Sequence, residues 1–306
     1  MGSDASISAL KNIVSAEQIH LAEPMSAHTT FRVGGPVDCL VEIRDKEELR
    51  KIRAVLQTAE IPFFVMGNGS NLLVSDEGYR GVILKVQSSM NQIRVDGNAI
   101  IAQAGATMAA VARAALEHGL TGLEFASGIP GTIGGGISMN AGAYGGEMSQ
   151  VVRSVEVIDS DGNLRILSNA DMQFDYRTSA IKDKPITVTE VTLDLTPGDP
   201  VQIKALMDDL AARRRDKQPL EYPSAGSTFK RPTGNFAGKL IQDAGLRGYA
   251  VNGAMVSEKH CGFVVNTTPG VTTAADIMQL IRHIQKTVND QFNIKLEPEV
   301  IFLGEF

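Results

Sequence analysis

The chain has 306 residues, of which 43% are apolar and 21% charged, and its formal net charge is −6. This length gives room for two or three lobes with separate cores, and the composition is typical of a globular protein. The negative net charge without a Lys/Arg-rich block argues against nucleic-acid binding, and the lack of a long apolar stretch argues against a membrane-spanning helix.

Residues 1–80 predict a first lobe built on a βαβ-like unit. A strand at 39–43 leads into a helix with Asp45 as its N-cap, because apolar residues then recur at helical spacing. A buried strand at 63–66 follows and runs into a glycine-dense loop. This first glycine loop consists of Gly67, Asn68, Gly69, Ser70 and Asn71.

Residues 81–197 predict a second lobe of mixed α and β structure. Turn pairs such as Asp96-Gly97 and Asp161-Gly162 separate its short β-rich runs, and one helix is expected at 108–118. The β-rich runs lie at 82–86, 93–95, 100–104, 151–158, 164–167 and 188–195. This lobe carries a second glycine segment, residues 128–146.

Residues 198–306 predict a third, smaller α+β lobe, separated from the second by Pro197-Gly198-Asp199-Pro200. A charged helix opens this lobe, and an amphipathic helix at 274–292 begins after Thr273. The chain closes with a predicted strand at 294–303, which could return to the first lobe.

The two glycine-dense stretches suggest main chain that approaches a large anionic ligand, since glycine has no Cβ and tolerates positive φ. The second segment is not a Walker loop, because no Lys-Ser/Thr pair follows its last glycine. The first loop lacks the third glycine of a Rossmann turn. The structural alternative is that both stretches are only tight turns.

Metal and nucleophile chemistry find little support in the sequence. The five histidines are scattered without ligand spacing, so no metal site is predicted, and Gly226-Ser227 lacks the glycine of a nucleophile elbow. The two cysteines, Cys39 and Cys261, are typical of buried thiols in a reducing compartment, which makes the cytoplasm the expected location.

Three polar positions are candidates for chemistry, although each has a structural alternative. Arg177 lies in a turn and could hold a carboxylate with its planar fork, or simply be an exposed arginine. Ser227 lies in a small-residue turn that could aim a hydroxyl or only cap a helix. Glu297 and Glu299 flank Pro298 at a strand start, where a solvated strand edge is the alternative.

Taken together and in this order, these segments resemble the UDP-N-acetylenolpyruvoylglucosamine reductase family of flavoenzymes. The matching pieces are the first glycine loop, residues 128–145, Asp175-Tyr176-Arg177, Ala225-Gly226-Ser227 and Leu296-Glu297-Pro298-Glu299. They cover the chain from about residue 31 to residue 304.

The resemblance implies an α+β fold: a two-lobe FAD-binding fold of the vanillyl-alcohol-oxidase/p-cresol-methylhydroxylase type, here residues 1–80 and 81–197, plus a C-terminal substrate domain, residues 198–306. It assigns the FAD pyrophosphate to the first glycine loop. It assigns the flavin and its linker to Gly128, Ile129, Pro130, Gly131, Thr132, Gly134, Asn140, Gly142 and Ala143.

The resemblance also implies a reaction, in which NADPH reduces FAD and the flavin delivers hydride to the enolpyruvyl ether of UDP-N-acetylglucosamine enolpyruvate. Arg177 and Glu299 would bind and polarise the carboxylate and the enol, and Ser227 would donate a proton. Glu297 is the fallback for Glu299, and Arg214 and Tyr144 are the candidates for substrate binding.

The resemblance implies a part in peptidoglycan precursor synthesis, and so in cell-wall biogenesis, cell shape and cell division. Larger family members insert a tyrosine-bearing loop after the arginine motif, whereas Arg177 is followed closely by the strand at 186–195, so the chain resembles the shorter subgroup. Two other readings stay open: an FAD-dependent alcohol or sugar oxidase of the same fold, and a non-catalytic nucleotide-binding module.

Overall fold

The computed structural model describes residues 9–86 and 89–306. In these ranges the strands are β1 (Ile19–Pro24), β2 (Pro36–Glu42), β3 (Phe63–Met66), β4 (Leu72–Val74), β5 (Tyr79–Lys85), β6 (Ile93–Asp96), β7 (Ala99–Gln103), β8 (Leu120–Thr121), β9 (Gly142–Ala143), β10 (Gly146–Glu147), β11 (Val152–Ile158), β12 (Leu164–Ser168), β13 (Thr187–Asp194), β14 (Thr196–Pro197), β15 (Ala250–Val251), β16 (Ala254–Val256), β17 (Val264–Asn266) and β18 (Ile301–Leu303). The α-helices are α1 (Lys46–Thr58), α2 (Met108–Glu117), α3 (Ile133–Ser138), α4 (Pro200–Lys217), α5 (Ala237–Asp243) and α6 (Ala274–Phe292).

The chain divides into two compact units, and neither is continuous in sequence. Unit 1 contains the described residues up to 20, then 39–67 and the described part of 81–214. Unit 2 contains 21–38, 68–80 and 215–306. The boundaries of these units differ from the lobe boundaries predicted from the sequence at 80 and 197. Residues 68–80 belong to unit 2 with the C-terminal part of the chain, and most of helix α4 belongs to unit 1.

Unit 1 is built around a five-stranded sheet in the order β12-β11-β13-β7-β6, with all neighbours antiparallel. Tight turns join β6 to β7 and β11 to β12, as the Asp-Gly pairs predict, with Gly97 and Gly162 at positive φ. Helix α2 follows β7 and buries Val111 in the unit's core. The parallel pair β3–β5 and helix α1 complete the unit's framework.

Unit 2 is organised around α6, which begins after Thr273 as predicted. The hydroxyl of Thr273 accepts a hydrogen bond from the backbone N–H of Asp276, and the Asp276 carboxylate accepts one from the N–H of Thr273. The apolar face of α6 is buried against the sheet β15-β16-β17 and the helix α5. Strand β18 pairs in parallel with β4, so the last strand returns to a segment from the first 80 residues.

Two predicted elements differ from the structure. The predicted strand at 294–303 is a strand only at β18, because Pro298 cannot donate a ladder hydrogen bond and the chain around it forms an isolated bridge with Phe229. The second glycine segment, predicted as a loop, contains α3, because the side chain of Thr132 caps a short helical turn there.

Candidate active site

The two glycine stretches meet in unit 1 at Gly67 and Thr132. A Cβ on Gly67 would lie 2.2 Å from Oγ1 of Thr132, so no larger residue fits at the end of β3. The contact places the start of the first glycine loop beside the start of α3. The glycine at position 67 is therefore explained by packing within the protein.

The backbone N–H groups at the start of α3 are used by the protein itself. Ile133 N donates to the carbonyl of Ala106 at 2.7 Å, and Gly134 N donates to that of Ala104 at 2.9 Å. A Cβ on Gly134 would also lie 2.9 Å from the Cβ of Ala104. The hypothesis that side-chain-free main chain faces an anion does not hold for this part of the segment, where glycine permits close packing on β7.

The parts of the second segment on either side of α3 are more open. Gly128 and Pro130 are exposed, and Gly131 has a φ of +125° that favours glycine. Beyond α3, β9 and β10 form a hairpin whose two turn residues, Tyr144 and Gly145, both have positive φ. Tyr144 is 43% exposed, so the hairpin presents an aromatic ring at the surface of unit 1.

The turn that carries Arg177 is tied to the second glycine segment at three points. Asn140 Nδ2 donates to the carbonyl of Asp175 at 3.2 Å, and Ser179 Oγ donates to that of Ser138 at 2.8 Å. Arg177 Nη2 donates to the carbonyl of Gly142 at 3.0 Å. Arg177 has a φ of +55°, a backbone conformation that residues other than glycine rarely adopt, and these hydrogen bonds hold the turn in it.

Arg214, the last residue of unit 1, lies against the start of the second glycine segment. A Cβ on Gly128 would lie 3.2 Å from Cδ of Arg214. Burial lowers the pKa of the Arg214 guanidinium. Since a half-buried cation loses solvation, an anionic ligand at this position would be stabilising. The neighbouring Arg213 instead pairs with Asp209 at 2.7 Å on the exposed face of α4.

Ser227 and Glu299 are brought together in unit 2 by a short antiparallel ladder. Glu299 N donates to the carbonyl of Thr228 at 2.9 Å, and Lys230 N donates to that of Glu297 at 2.9 Å. Ser227 is exposed and follows Gly226, which has a φ of +77° and no neighbouring atom within 4 Å of a built Cβ. Ser227 thus lies in an exposed turn, directly before Thr228, whose carbonyl accepts the hydrogen bond from Glu299 N.

The structure separates the two glutamates that the sequence left as alternatives. The side chain of Glu297 is 73% exposed and pairs with Lys230 at 3.3 Å, which is a surface ion pair. Glu299 is half-buried, and its backbone is bonded to the segment next to Ser227. Of the two, Glu299 has the environment of a site residue.

Within unit 2, Asn71 connects the first glycine loop to this ladder, and Thr30 connects the loop to Ser224, in the segment that leads to Ser227. Asn71 Nδ2 donates to the carbonyl of Glu299 at 3.0 Å. Thr30 Oγ1 donates to the carbonyl of Ser224 at 2.6 Å, and Thr30 N donates to that of Gly69 at 3.2 Å. The sequence interpretation missed Thr30, because a threonine in a turn carries no signal of a partner 194 positions away.

Among the described residues, no group of three or more His, Cys, Asp or Glu side chains has the arrangement of a metal site. None of the helices in the described ranges is long and apolar enough to cross a membrane.

Comparison with known proteins identifies two matching families. A family described as "FAD binding domain" matches residues 37–168, and the C-terminal domain of UDP-N-acetylenolpyruvoylglucosamine reductase matches residues 218–303. A UDP-N-acetylenolpyruvoylglucosamine reductase of Caldanaerobacter subterraneus subsp. tengcongensis is 52% identical over 97% of both chains. One of Clostridioides difficile is 49% identical over the same shares.

Comparison with solved structures agrees with these sequence matches. The reductase of Thermus caldophilus matches with a TM-score of 0.80 at 34% identity, covering 94% of this chain and 98% of its own. A 4-ethylphenol oxidase of Gulosibacter chungangensis matches with a TM-score of 0.50 at 16% identity, covering 63% of this chain and 42% of its own, which is a likeness of fold alone. These matches confirm the predicted α+β fold class, with FAD-binding lobes and a C-terminal domain.

Proposed function

The chain belongs to the UDP-N-acetylenolpyruvoylglucosamine reductase family, and from this membership we propose that it reduces the enolpyruvyl ether of UDP-N-acetylglucosamine enolpyruvate to UDP-N-acetylmuramate. It is an FAD-containing oxidoreductase that uses NADPH. The observation that carries the proposal is 52% identity to such a reductase over 97% of both chains. The oxidase alternative is supported only by a similarity of fold.

The residues present fit a bound FAD. The contact of Gly67 with Thr132 brings the start of the first glycine loop to the second segment, which is exposed at Gly128 and at Gly145, where a built Cβ would have no neighbouring atom within 4 Å. We assign the pyrophosphate to the first glycine loop. The flavin and its linker are assigned to Gly128, Ile129, Pro130, Gly131, Gly142 and Ala143 on either side of α3, whereas Thr132 and Gly134 cap and pack the start of that helix. When bound and reduced by NADPH, FAD would supply the hydride.

Three side chains would act on the substrate. The guanidinium of Arg177 would bind the substrate carboxylate, because a planar array of N–H donors matches a planar anion. Glu299 would interact with the enol oxygen, and Ser227 Oγ would donate the proton to the adjacent carbon. A serine hydroxyl is a weak acid, so this step requires a strongly basic carbon and a pocket that excludes water.

Arg214 and Tyr144 would bind the nucleotide part of the substrate. Both lie beside Gly128 or the β9–β10 hairpin in unit 1, and the half-buried guanidinium of Arg214 is suited to a diphosphate. We propose that residues 1–80 and 81–197 act as the FAD-binding lobes and that residues 198–306 act as the substrate domain. We also propose a cytoplasmic location and a contribution to peptidoglycan synthesis, cell shape and cell division.

An absorbance spectrum followed by a coupled assay tests this function. The purified protein is expected to be yellow, and its oxidation of NADPH should depend on added enolpyruvyl nucleotide. Oxygen consumption with a simple alcohol in place of that dependence would contradict the proposal.

The substitution Ser227→Ala tests the proton donor. Flavin reduction by NADPH should be retained, whereas product formation should fall by about 10³-fold or more because the proton source is lost. Stopped-flow measurement of the two half-reactions separates these effects, and Thr233→Ala, an exposed hydroxyl of the same unit, is the control. Equal loss of both half-reactions would mean that Ser227 has a structural role.

A further inference from the structure

The first glycine loop is bonded to both segments that carry the proposed acid groups of unit 2. The Asn71 side chain reaches the carbonyl of Glu299 at 3.0 Å. Thr30 bridges the loop to the other segment, because its N–H donates to the carbonyl of Gly69 at 3.2 Å and its hydroxyl to that of Ser224 at 2.6 Å. The loop assigned to FAD is therefore linked directly to Glu299 and, through Thr30, to the segment that leads to Ser227.

The side chain of Asn71 adds a hydrogen bond to the end of the β4–β18 ladder, at the point where the backbone turns away from β18. The carbonyl of Asn71 accepts a hydrogen bond from Ile301 N at 2.9 Å, at the start of the β4–β18 pairing. Before Asn71 the chain turns into the glycine loop, and the amide side chain supplies the next donor, to Glu299. A carboxylate of the same shape has acceptors only, so it would face the Glu299 carbonyl without a hydrogen bond.

We propose that Asn71 and Thr30 are positioning residues that hold Glu299 and Ser227 in register with the cofactor loop. Glu299 N in turn bonds the carbonyl of Thr228, so the position set by Asn71 is passed to the residue next to Ser227. Neither Asn71 nor Thr30 touches the reacting atoms in this role. The inference rests on the proposed function, because it concerns the step that follows flavin reduction.

Positioning of this kind affects one half-reaction more than the other. Proton donation and enol stabilisation occur only when the enolpyruvyl nucleotide is reduced, and displacement of a catalytic group by a fraction of an ångström slows such a step strongly. Reduction of the flavin by NADPH does not use Ser227 or Glu299. Loss of either connection should therefore slow reoxidation of the reduced enzyme by substrate.

Single-turnover kinetics of the holoenzyme variant Thr30→Val test the proposal, because Thr30 lies outside the loop assigned to FAD, whereas Asn71 belongs to that loop. Thr30→Val should keep its FAD and reduce it with NADPH at nearly the wild-type rate, while anaerobic reoxidation by the enolpyruvyl nucleotide slows by about tenfold. Thr30→Ser keeps the hydroxyl and should restore the rate. Thr267→Val is the matched control, because it also removes a threonine bond to a carbonyl of unit 2, that of Gly253 at 3.0 Å.

The outcomes separate this inference from the proposed function. Loss of FAD from Thr30→Val, equal slowing of both its half-reactions, or unchanged reoxidation would overturn the positioning role. A wild-type holoenzyme that is not reoxidised by the enolpyruvyl nucleotide would overturn the proposed function and this inference with it.

Discussion

Asn140 shows at the scale of one residue how the structure changes an assignment. The sequence resemblance assigns it to the cofactor, but the side chain is 0% exposed. Its Nδ2 donates to Asp175 and its Oδ1 accepts from Ser149 N at 2.9 Å. Both ends of the amide are thus used within the protein, and its Nδ2 holds the Arg177 turn against the second glycine segment, which indicates a supporting role.

Replacing Asn140 with aspartate should test that supporting role. The variant loses the donor to Asp175 and buries a carboxylate, so the free energy of unfolding should fall by about 1–3 kcal/mol. The KM for the enolpyruvyl nucleotide should rise because the Arg177 turn loses an anchor. Urea unfolding and steady-state kinetics measure the two effects, with Asn235→Asp on the surface as control. An unchanged unfolding midpoint would contradict the role.

Candidate site residues could be named from the sequence where a motif surrounds them, and their roles stay predictions. Arg177, Ser227 and Glu299 each lie in a short recognisable segment, and in the structure Glu299 bonds Thr228, the residue after Ser227. Thr30 and the supporting role of Asn140 could not be predicted, because their hydrogen bonds join segments that are far apart in sequence. Such partners are fixed by the fold and leave no local pattern.

Among the secondary-structure elements, those with local signals were predicted best. Helix α6 begins after Thr273 because its capping groups lie within four residues of each other. Helix α1 was also expected, but not the burial of Arg53 on its inner face. The guanidinium of Arg53 donates to the carbonyls of Ile158 and Pro185 at 2.8 and 2.7 Å, more than 100 positions away, which no periodicity reveals.

The start of α6 predicts a pH dependence of stability. Burial raises the pKa of Asp276, but hydrogen bonds from Thr273 and Asn252 outweigh this, so the pKa lies below its ordinary 3.8. A lowered folded-state pKa means that the carboxylate stabilises the protein above the unfolded-state value. This contribution is lost as the pH falls through the folded-state value.

The comparison of wild type with Asp276→Asn should reveal that contribution. The difference between their unfolding free energies is expected to be constant above about pH 5 and to shrink below about pH 4. Denaturant unfolding across this range measures it. Asp290→Asn, which removes an exposed ion pair with Lys286 in the same helix, is the control. A difference that does not change with pH would show that Asp276 acts without its charge.

For the whole molecule, the division into units could not be predicted from chain order. Strand β4 pairs with β18 at the other end of the chain, so residues 68–80 belong to unit 2 although they follow directly on unit 1. Within unit 2, a Cβ on Gly35 would lie 1.8 Å from the carbonyl oxygen of Asp76, and one on Gly78 would lie 1.7 Å from that of Pro36. These glycines permit backbone crossings that a linear division at 80 cannot anticipate.

Removal of FAD should lower the stability of the molecule as a whole. The FAD-binding match at 37–168 includes residues of both units, so the cofactor is expected to stabilise the folded chain over its unfolded state. At a free FAD concentration of about 100 times Kd, this linkage contributes about 2.7 kcal/mol. The unfolding temperature of the apoprotein should therefore be lower than that of the holoenzyme, and it should rise as FAD is added.

Riboflavin is the control ligand, because it lacks the pyrophosphate that the first glycine loop is assigned to bind. It should raise the unfolding temperature much less than FAD does. An equal rise with both ligands would mean that this loop does not bind the pyrophosphate.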